Sequence, residues 1–435
     1  MADAATAGAL RKDVEVVGLV SGGHFMSHYY SMMLPPLFPF LHQDLGISFT
    51  ALGLLLALKH VAGGMTQLPA GLLVDRYGAR WVLMVGFAVI VGAYFLISMT
   101  SSFWMLAIMF LIAGIGNAVF HPADYSIING TVAETRLGRS FSAHTFSGHL
   151  GSAVAPVVML SITAIWNWRV GVLASVIAGV IIILGLGTRW SRMHEGVAKR
   201  MSKKKARDKA DSEALAAETA DDAVAGAVKD PTTWELLVQI IRSPAIIFLF
   251  LFFAMQSLGS GGMRSFSVSA LVVLHGTPAA AAGGALTGFL FASAFGVLAG
   301  GFVADKNNRH DLVAGAALLL TAVVCVIVAK VNLHYTLLVF VFTVAGLIQG
   351  IIRPARDMMI RAASPKGSMG KVVGLVFSGQ AIGGAIAPVA YGFFIDIGNP
   401  ALVFYSSAVF MVLCAAAVYG SYRETRRRAA AQPAQ

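Results

Sequence analysis

Charge is scarce in this chain: Lys, Arg, Asp and Glu make up 12% of its 435 residues, about half the usage of a soluble globular domain. So little charge cannot clothe a water-exposed surface, and a formal net charge of +11 therefore does not point to nucleic acid. Cysteine is almost missing. Cys325 and Cys414 both sit inside apolar runs, which excludes a disulfide framework. No Gly-x-x-x-x-Gly-Lys-Ser/Thr loop occurs, so ATP is not expected as an energy source. No serine, cysteine or metal constellation has catalytic company, so neither an enzyme nor a cofactor is expected.

What the chain has instead is hydrocarbon. Hydrophobic residues form 57% of it, mean hydropathy is +0.75, and 46 glycines suit close approach of helices in a bilayer. A helix needs roughly 20 apolar residues to cross the hydrocarbon core. Such segments fall near 16–40, 50–74, 80–99, 103–129, 141–164, 168–188, 243–274, 279–304, 310–330, 334–361, 370–395 and 399–422. The seventh is interrupted by Gly259-Ser260-Gly261-Gly262, a pattern tolerated where backbone lines a cavity. The expected fold is all-α, with twelve transmembrane helices in two pseudo-symmetric six-helix bundles at 16–188 and 243–422. Tails at 1–15 and 423–435 and a linker at 189–242 complete the chain. The linker's middle mixes Lys/Arg with Asp/Glu and Ala and reads as solvated and disordered; Trp234, Leu237, Val238 and Ile241 suggest a short interfacial helix after it.

Most of the basic residues fall in alternate connections, including Arg11 and Lys12, Arg76 and Arg80, Arg136 and Arg139, the linker, and Arg423 to Arg428. The positive-inside rule makes that side cytoplasmic, with both termini on it. The expected location is the bacterial inner membrane, with a monomer as the functional unit.

The two halves repeat one another. Sliding the chain along itself brings Gly114 onto Gly346, Pro122 onto Pro354, Gly138 onto Gly370, Gly151 onto Gly383 and Pro156 onto Pro388. The loop Gly71-Leu72-Leu73-Val74-Asp75-Arg76 meets Gly301-Phe302-Val303-Ala304-Asp305-Lys306. Shared prolines and loop aspartates in order mark parallel repeats of six spans.

From Val16 to Tyr422 the chain resembles the major facilitator superfamily of secondary transporters. The most specific marker is "GLLVDRYGAR", Gly71 to Arg80, with a degenerate copy "GFVADKNNRH" at Gly301 to His310. The resemblance implies that Asp75, Arg76, Arg80, Asp305 and Lys306 help hold the halves together on the cytoplasmic side, and that the first, fourth, seventh and tenth spans line a central path. "FHPADY" in the fourth span and "HFMSHYYSMMLPPLFPFL" in the first are similar to the fosmidomycin-resistance branch and bacterial organic-anion permeases. The superfamily's antiporter pattern in the fifth span, Gly-x-x-x-Gly-Pro, reads here Gly151 to Pro156 with Ala155 before the proline, which leaves the direction of transport open.

Charged groups inside spans are costly and mark function by default. Arg353 and Arg356 lie three apart on the tenth span, with Asp357 beside them. Asp357 can neutralise one guanidinium and take part in gating, leaving the other to bind an anion or to pair across the path. The repeat sets His121 opposite Arg353 and Asp124 opposite Arg356, so an Asp124–Arg356 attraction across the path is expected. Asp124 and His121 are the proton-coupling candidates, because imidazole changes charge near neutrality and a poorly solvated carboxylate takes up a proton more readily than one in water. His24, His28 and Tyr29 form a polar stripe on the first span. Substrate contact and interhelical hydrogen bonding both fit it, and a metal is not expected without a further acidic ligand. Lys59 lies too deep in its span to snorkel and faces the cavity or an acid partner. Arg264 is either a second anion ligand or a snorkelling residue. Gln256 and Gln380 complete the polar lining, and His144 and His149 suit packing among small residues. The functional expectation is a secondary transporter of a small organic anion, of the carboxylate or phosphonate class, driven by protons. Proton-antiport efflux of drug-like compounds is the alternative, and a non-cycling channel or receptor a third.

Overall fold

The computed structural model describes residues 2–193, 242–306, 309–364 and 369–431. The linker and the suggested helix around Trp234 lie outside them. Among the described residues the chain is helical throughout, with no strand, as a bilayer-spanning chain must be if every backbone N–H and C=O is to be paired within its own segment. The helices are α1 (Ala2–Met32), α2 (Phe38–Leu45), α3 (Phe49–Tyr77), α4 (Ala79–Met99), α5 (Phe103–Asn117), α6 (Phe120–Thr131), α7 (Leu137–Ile165) and α8 (Trp168–Thr188). After the linker come α9 (Pro244–Gly261), α10 (Ser267–His275), α11 (Ala279–Lys306), α12 (His310–Lys330), α13 (Tyr335–Ala363), α14 (Met369–Asp396) and α15 (Ala401–Ala431).

Eleven spans among the described residues are long and apolar enough to cross a bilayer. The first span runs through α1 into α2 and completes the set of twelve, although His24, Ser27, His28 and Ser31 lower its hydropathy. Pro35 and Pro36 close α1 and start a short 3-10 turn, Pro35–Leu37, which re-aims the chain.

Two spans are irregular, for different reasons. The fourth breaks at Ala118 and Val119, between α5 and α6. Pro122 has no N–H to offer the carbonyl of Ala118, and its ring crowds that turn. The seventh does not break at Gly259–Gly262; its glycines stay helical, and a π-helical turn at Gly262–Phe266 follows them, carrying Arg264. Such turns widen a helix by one residue and turn a side chain out of register, often at functional sites.

The halves meet through α3 against α14 and α7 against α11. Their closest approach lies at the end that carries the 46–48, 276–278 and 397–400 loops. Gly53 packs there on α14 so tightly that a Cβ would overlap the Pro388 carbonyl. At the same end Asp396, which ends α14, crosses to the start of α3. Its carboxylate accepts hydrogen bonds from the Phe49 amide (2.9 Å) and the Thr50 amide (2.7 Å), and from the Thr50 hydroxyl. A carboxylate on the first turn of a helix satisfies orphan donors and meets the positive end of the helix dipole.

Candidate functional site

Between the halves lies a cavity of about 590 Å³, continuous through His28, His121, Ser152, Arg264 and Gln380 with a second chamber of about 460 Å³. It opens away from the Asp396 contact: Asp357, on its wall towards Ala363, has its side chain 63% exposed.

The wall from the second half is cationic. Arg264, Arg353 and Arg356 line it, with Gln256, Gln349 and Gln380 and the hydroxyls of Ser257, Ser260 and Ser293. Arg356 stays local: its Nε lies 3.1 Å from Asp357 Oδ1, and its guanidinium sits over the rings of Phe253 and Phe377, at 4.7 and 5.7 Å. The expected attraction between Arg356 and Asp124 is therefore not formed; a neighbouring carboxylate reaches the guanidinium first. Arg353 crosses the cavity instead, and its Nη1 lies 3.0 Å from His149 Nε2. A guanidinium only donates, so this contact requires Nε2 to be the unprotonated nitrogen of a neutral imidazole. No carboxylate lies in salt-bridge range of Arg353 or Arg264 among the described residues.

The facing wall is imidazole. His24, His28, His121 and His149 line it with Tyr125, Thr145 and Ser152. The His24 ring stands 4.6 Å from that of His28, 5.2 Å from that of His121 and 4.0 Å from that of His144. Gly148 makes this crowding feasible, since a Cβ there would stand 2.6 Å from His24 Nε2. Asp124 sits behind the wall, fully buried, with His24 Nδ1 at 3.5 Å and His144 Nε2 at 3.6 Å from Oδ2. His121 points to the cavity but meets His24 and His28 rather than Arg353.

Other expected residues fall elsewhere. Tyr29 is buried within its own half, its hydroxyl accepting from Ser175 at 3.2 Å, and lines neither chamber. That face of α1 packs on α8, so the polar stripe divides around the helix. Lys59 lines the second chamber without an acid partner among the described residues. Its ammonium donates to the Tyr94 hydroxyl at 3.0 Å, the Tyr30 carbonyl at 3.3 Å and Ser31 at 3.4 Å. Of the gating residues, Asp75, Arg76 and Lys306 are exposed. Arg80 donates to the Trp190 carbonyl at 3.2 Å and lies over that indole; the Asp305 side chain lies outside the described residues.

The sequence reading missed His144 and His149 as site residues. Their signal was present in "SAHTFSGHLGS", Ser142 to Ser152: so many polar groups within one span imply an aqueous or polar neighbour. Asp396 was missed because it ends its span and reads as an ordinary loop residue.

Twelve helices in two like halves, closed on each other at one end around a polar cavity, make a membrane carrier. The chain belongs to the Major Facilitator Superfamily, whose profile matches residues 20–276 and 257–435. It is 25% identical to the fosmidomycin resistance protein of Escherichia coli (strain K12) over 92% of this chain and 91% of that one. A probable L-galactonate transporter of the same organism is 28% identical over 33% of this chain and 32% of its own length. Among solved structures, a bacterial homolog to the human lysosomal transporter Spinster, in an inward-facing and occupied conformation, superposes with a TM-score of 0.72 at 15% identity, covering 96% of this chain and 98% of that one.

Proposed function

We propose that the protein moves a small organic anion, of the carboxylate or phosphonate class, across the membrane by alternating access, together with a proton. The observation that carries this reading is Arg353: a permanently charged fork on the cavity wall whose cross-cavity partner is a neutral imidazole. An anionic oxygen pair is a stronger partner for a guanidinium than an imidazole nitrogen is, so an arriving anion displaces His149. Arg264 adds a second cation on the same wall, with no carboxylate in salt-bridge range among the described residues.

The displacement accounts for the proton. Once Arg353 turns to the cargo, His149 Nε2 becomes a free acceptor beside a negative charge, and a proton there is stabilised by the anion that released it. Proton and anion then enter together, which limits the net charge carried. This places the proton on His149 rather than on Asp124, which stands behind the wall, or on His121. The basic end of the bundle, where the cavity opens, is the cytoplasmic face by charge bias, so the shape described is inward-open and both termini face the cytoplasm. The similarity to a resistance protein favours export as a second reading, in which the same cargo class leaves against an incoming proton.

Purified protein in proteoliposomes, offered labelled carboxylates and phosphonates with and without a pH gradient, tests the proposal. Uptake or counterflow of one anion class, lost in Arg353→Ala, is the expected result. Transport confined to cationic or neutral drug-like compounds would discard the anion reading.

A further inference from the structure

The cluster behind the imidazole wall has a property that anion transport does not use. We infer that His24, Asp124 and His144 form a binding site for a divalent late first-row metal ion, with zinc the best fit. The inference is independent of the cargo's identity.

Three spans converge to make the site: His24 comes from α1, Asp124 from α6 and His144 from α7. One ligand atom from each lies within 4.8 Å of the others. Both nitrogens nearest the carboxylate address the same oxygen, Oδ2, from 3.5 and 3.6 Å. Those separations are too long for good hydrogen bonds. They are close to the spacing of about 3.3 Å between neighbouring ligands that a tetrahedral ion with bonds of about 2.0–2.1 Å imposes.

The polar atoms here lack partners. His24 Nδ1, both oxygens of Asp124 and both ring nitrogens of His144 are buried without a hydrogen bond, and Asp124 is wholly enclosed. Leaving one such group unpaired is costly, and three of the five, Asp124 Oδ2, His24 Nδ1 and His144 Nε2, face one another in a geometry that needs an occupant. A single cation between the two imidazoles and the carboxylate serves Oδ2 and one nitrogen of each ring at once. Two imidazoles and one carboxylate are a ligand set that zinc accepts readily. Three protein ligands leave a fourth position for water, and of the three His24 also lines the cavity. All three ligands belong to one half, so the ion travels with that half and does not bolt the two together.

The test uses the full-length chain in detergent with any affinity tag removed. The protein is stripped with EDTA, titrated with Zn²⁺ and assayed by elemental analysis, then loaded with Co²⁺ for its visible absorption. About one Zn²⁺ per chain at micromolar or tighter affinity is expected, with the intense visible bands of a four- or five-coordinate Co²⁺ ion. Asp124→Asn and His144→Gln should each weaken binding by about a hundredfold or more. His334→Gln, at an exposed position far from the cluster, should leave it unchanged. Circular dichroism and size-exclusion profiles identify any variant that fails to fold, in which case His24→Gln takes its place. Absence of stoichiometric Zn²⁺ at about 100 µM, equal binding in Asp124→Asn, or a Co²⁺ spectrum of six-coordinate type would overturn the assignment and leave buried water as the occupant. Because metal content is read without any transport step, failure here and failure of the anion reading are separate results.

Discussion

The two walls of the cavity come from halves that share an ancestry in sequence, yet they carry opposite chemistry. Where the repeat sets Pro122 on Pro354, the first half has His121 and Asp124 and the second has Arg353 and Arg356. One wall holds imidazoles whose charge is reversible, with a carboxylate sealed behind them; the other holds guanidiniums whose charge is permanent. The difference divides the labour. On the function proposed above, a fixed cation would select the sign of the cargo in every state, and a reversible base across from it would take up or release the compensating proton.

Removing the fixed charge should break this division most completely. Arg353→Ala forfeits charge-assisted hydrogen bonds worth about 1.5–3 kcal/mol, a weakening of cargo affinity by roughly ten- to a hundredfold, readable by calorimetric titration. Arg353→Lys keeps the charge but not the fork and should fall between the two. At the far end of the bundle, Asp396→Ala removes three hydrogen bonds that join the halves. A loss of about 1.5–3 kcal/mol moves the balance of open states roughly ten- to a hundredfold away from the shape described here. Distances between spin labels across the 46–48 and 397–400 loops would report it.

The reversible wall is probed by pH. If His149 takes up a proton only when cargo has displaced it, affinity for the anion rises as pH falls, by up to about tenfold per pH unit for one coupled proton. His149→Gln should flatten that slope while leaving binding at high pH close to its original strength; an unchanged slope would move the proton elsewhere. Arg356→Ala should cost less than Arg353→Ala, about 1 kcal/mol or below, because Asp357 already shares that charge near solvent. The smallest effect is expected at Lys59→Met. Tyr94 still donates to the Tyr30 carbonyl at 2.7 Å without the ammonium, and replacing a buried charge by an apolar chain of similar length is often neutral. Thermal unfolding in detergent should shift by a few degrees at most.

Much of the architecture was legible because its cause is one-dimensional. A bilayer demands a certain length of apolar helix, and the runs from Phe49 onwards supply it with ends that differ from the helices by a few residues, except that the last helix continues past the expected 422 to Ala431. The site was legible in composition but not in pairing. Arg264, Gln256 and Gln380 reach the cavity as a polar residue in a span is expected to, whereas Tyr29 turns inward. In a membrane protein both faces of a helix are apolar, one for lipid and one for neighbours, so no hydrophobic stripe marks which side looks at the path. Asp124 illustrates the limit. Its neighbours His24 and His144 lie on other spans, and only three-dimensional packing brings them to one oxygen. Arg356 illustrates another: its long side chain folds back on Asp357, a pairing that i, i+3 and i, i+4 spacing does not anticipate.

Pro122 and Pro354 occupy matching positions, but only the former ends in a break; α13 runs unbroken through Pro354 from Tyr335 to Ala363. The carrier thus resembles pliers with one jointed jaw. If the mouth shuts as alternating access requires, the unbroken rod that presents Arg353 would swing as a single piece and the bending would fall on Ala118 and Val119, just before His121. Stiffening that joint should slow closure without touching any group that grips the cargo.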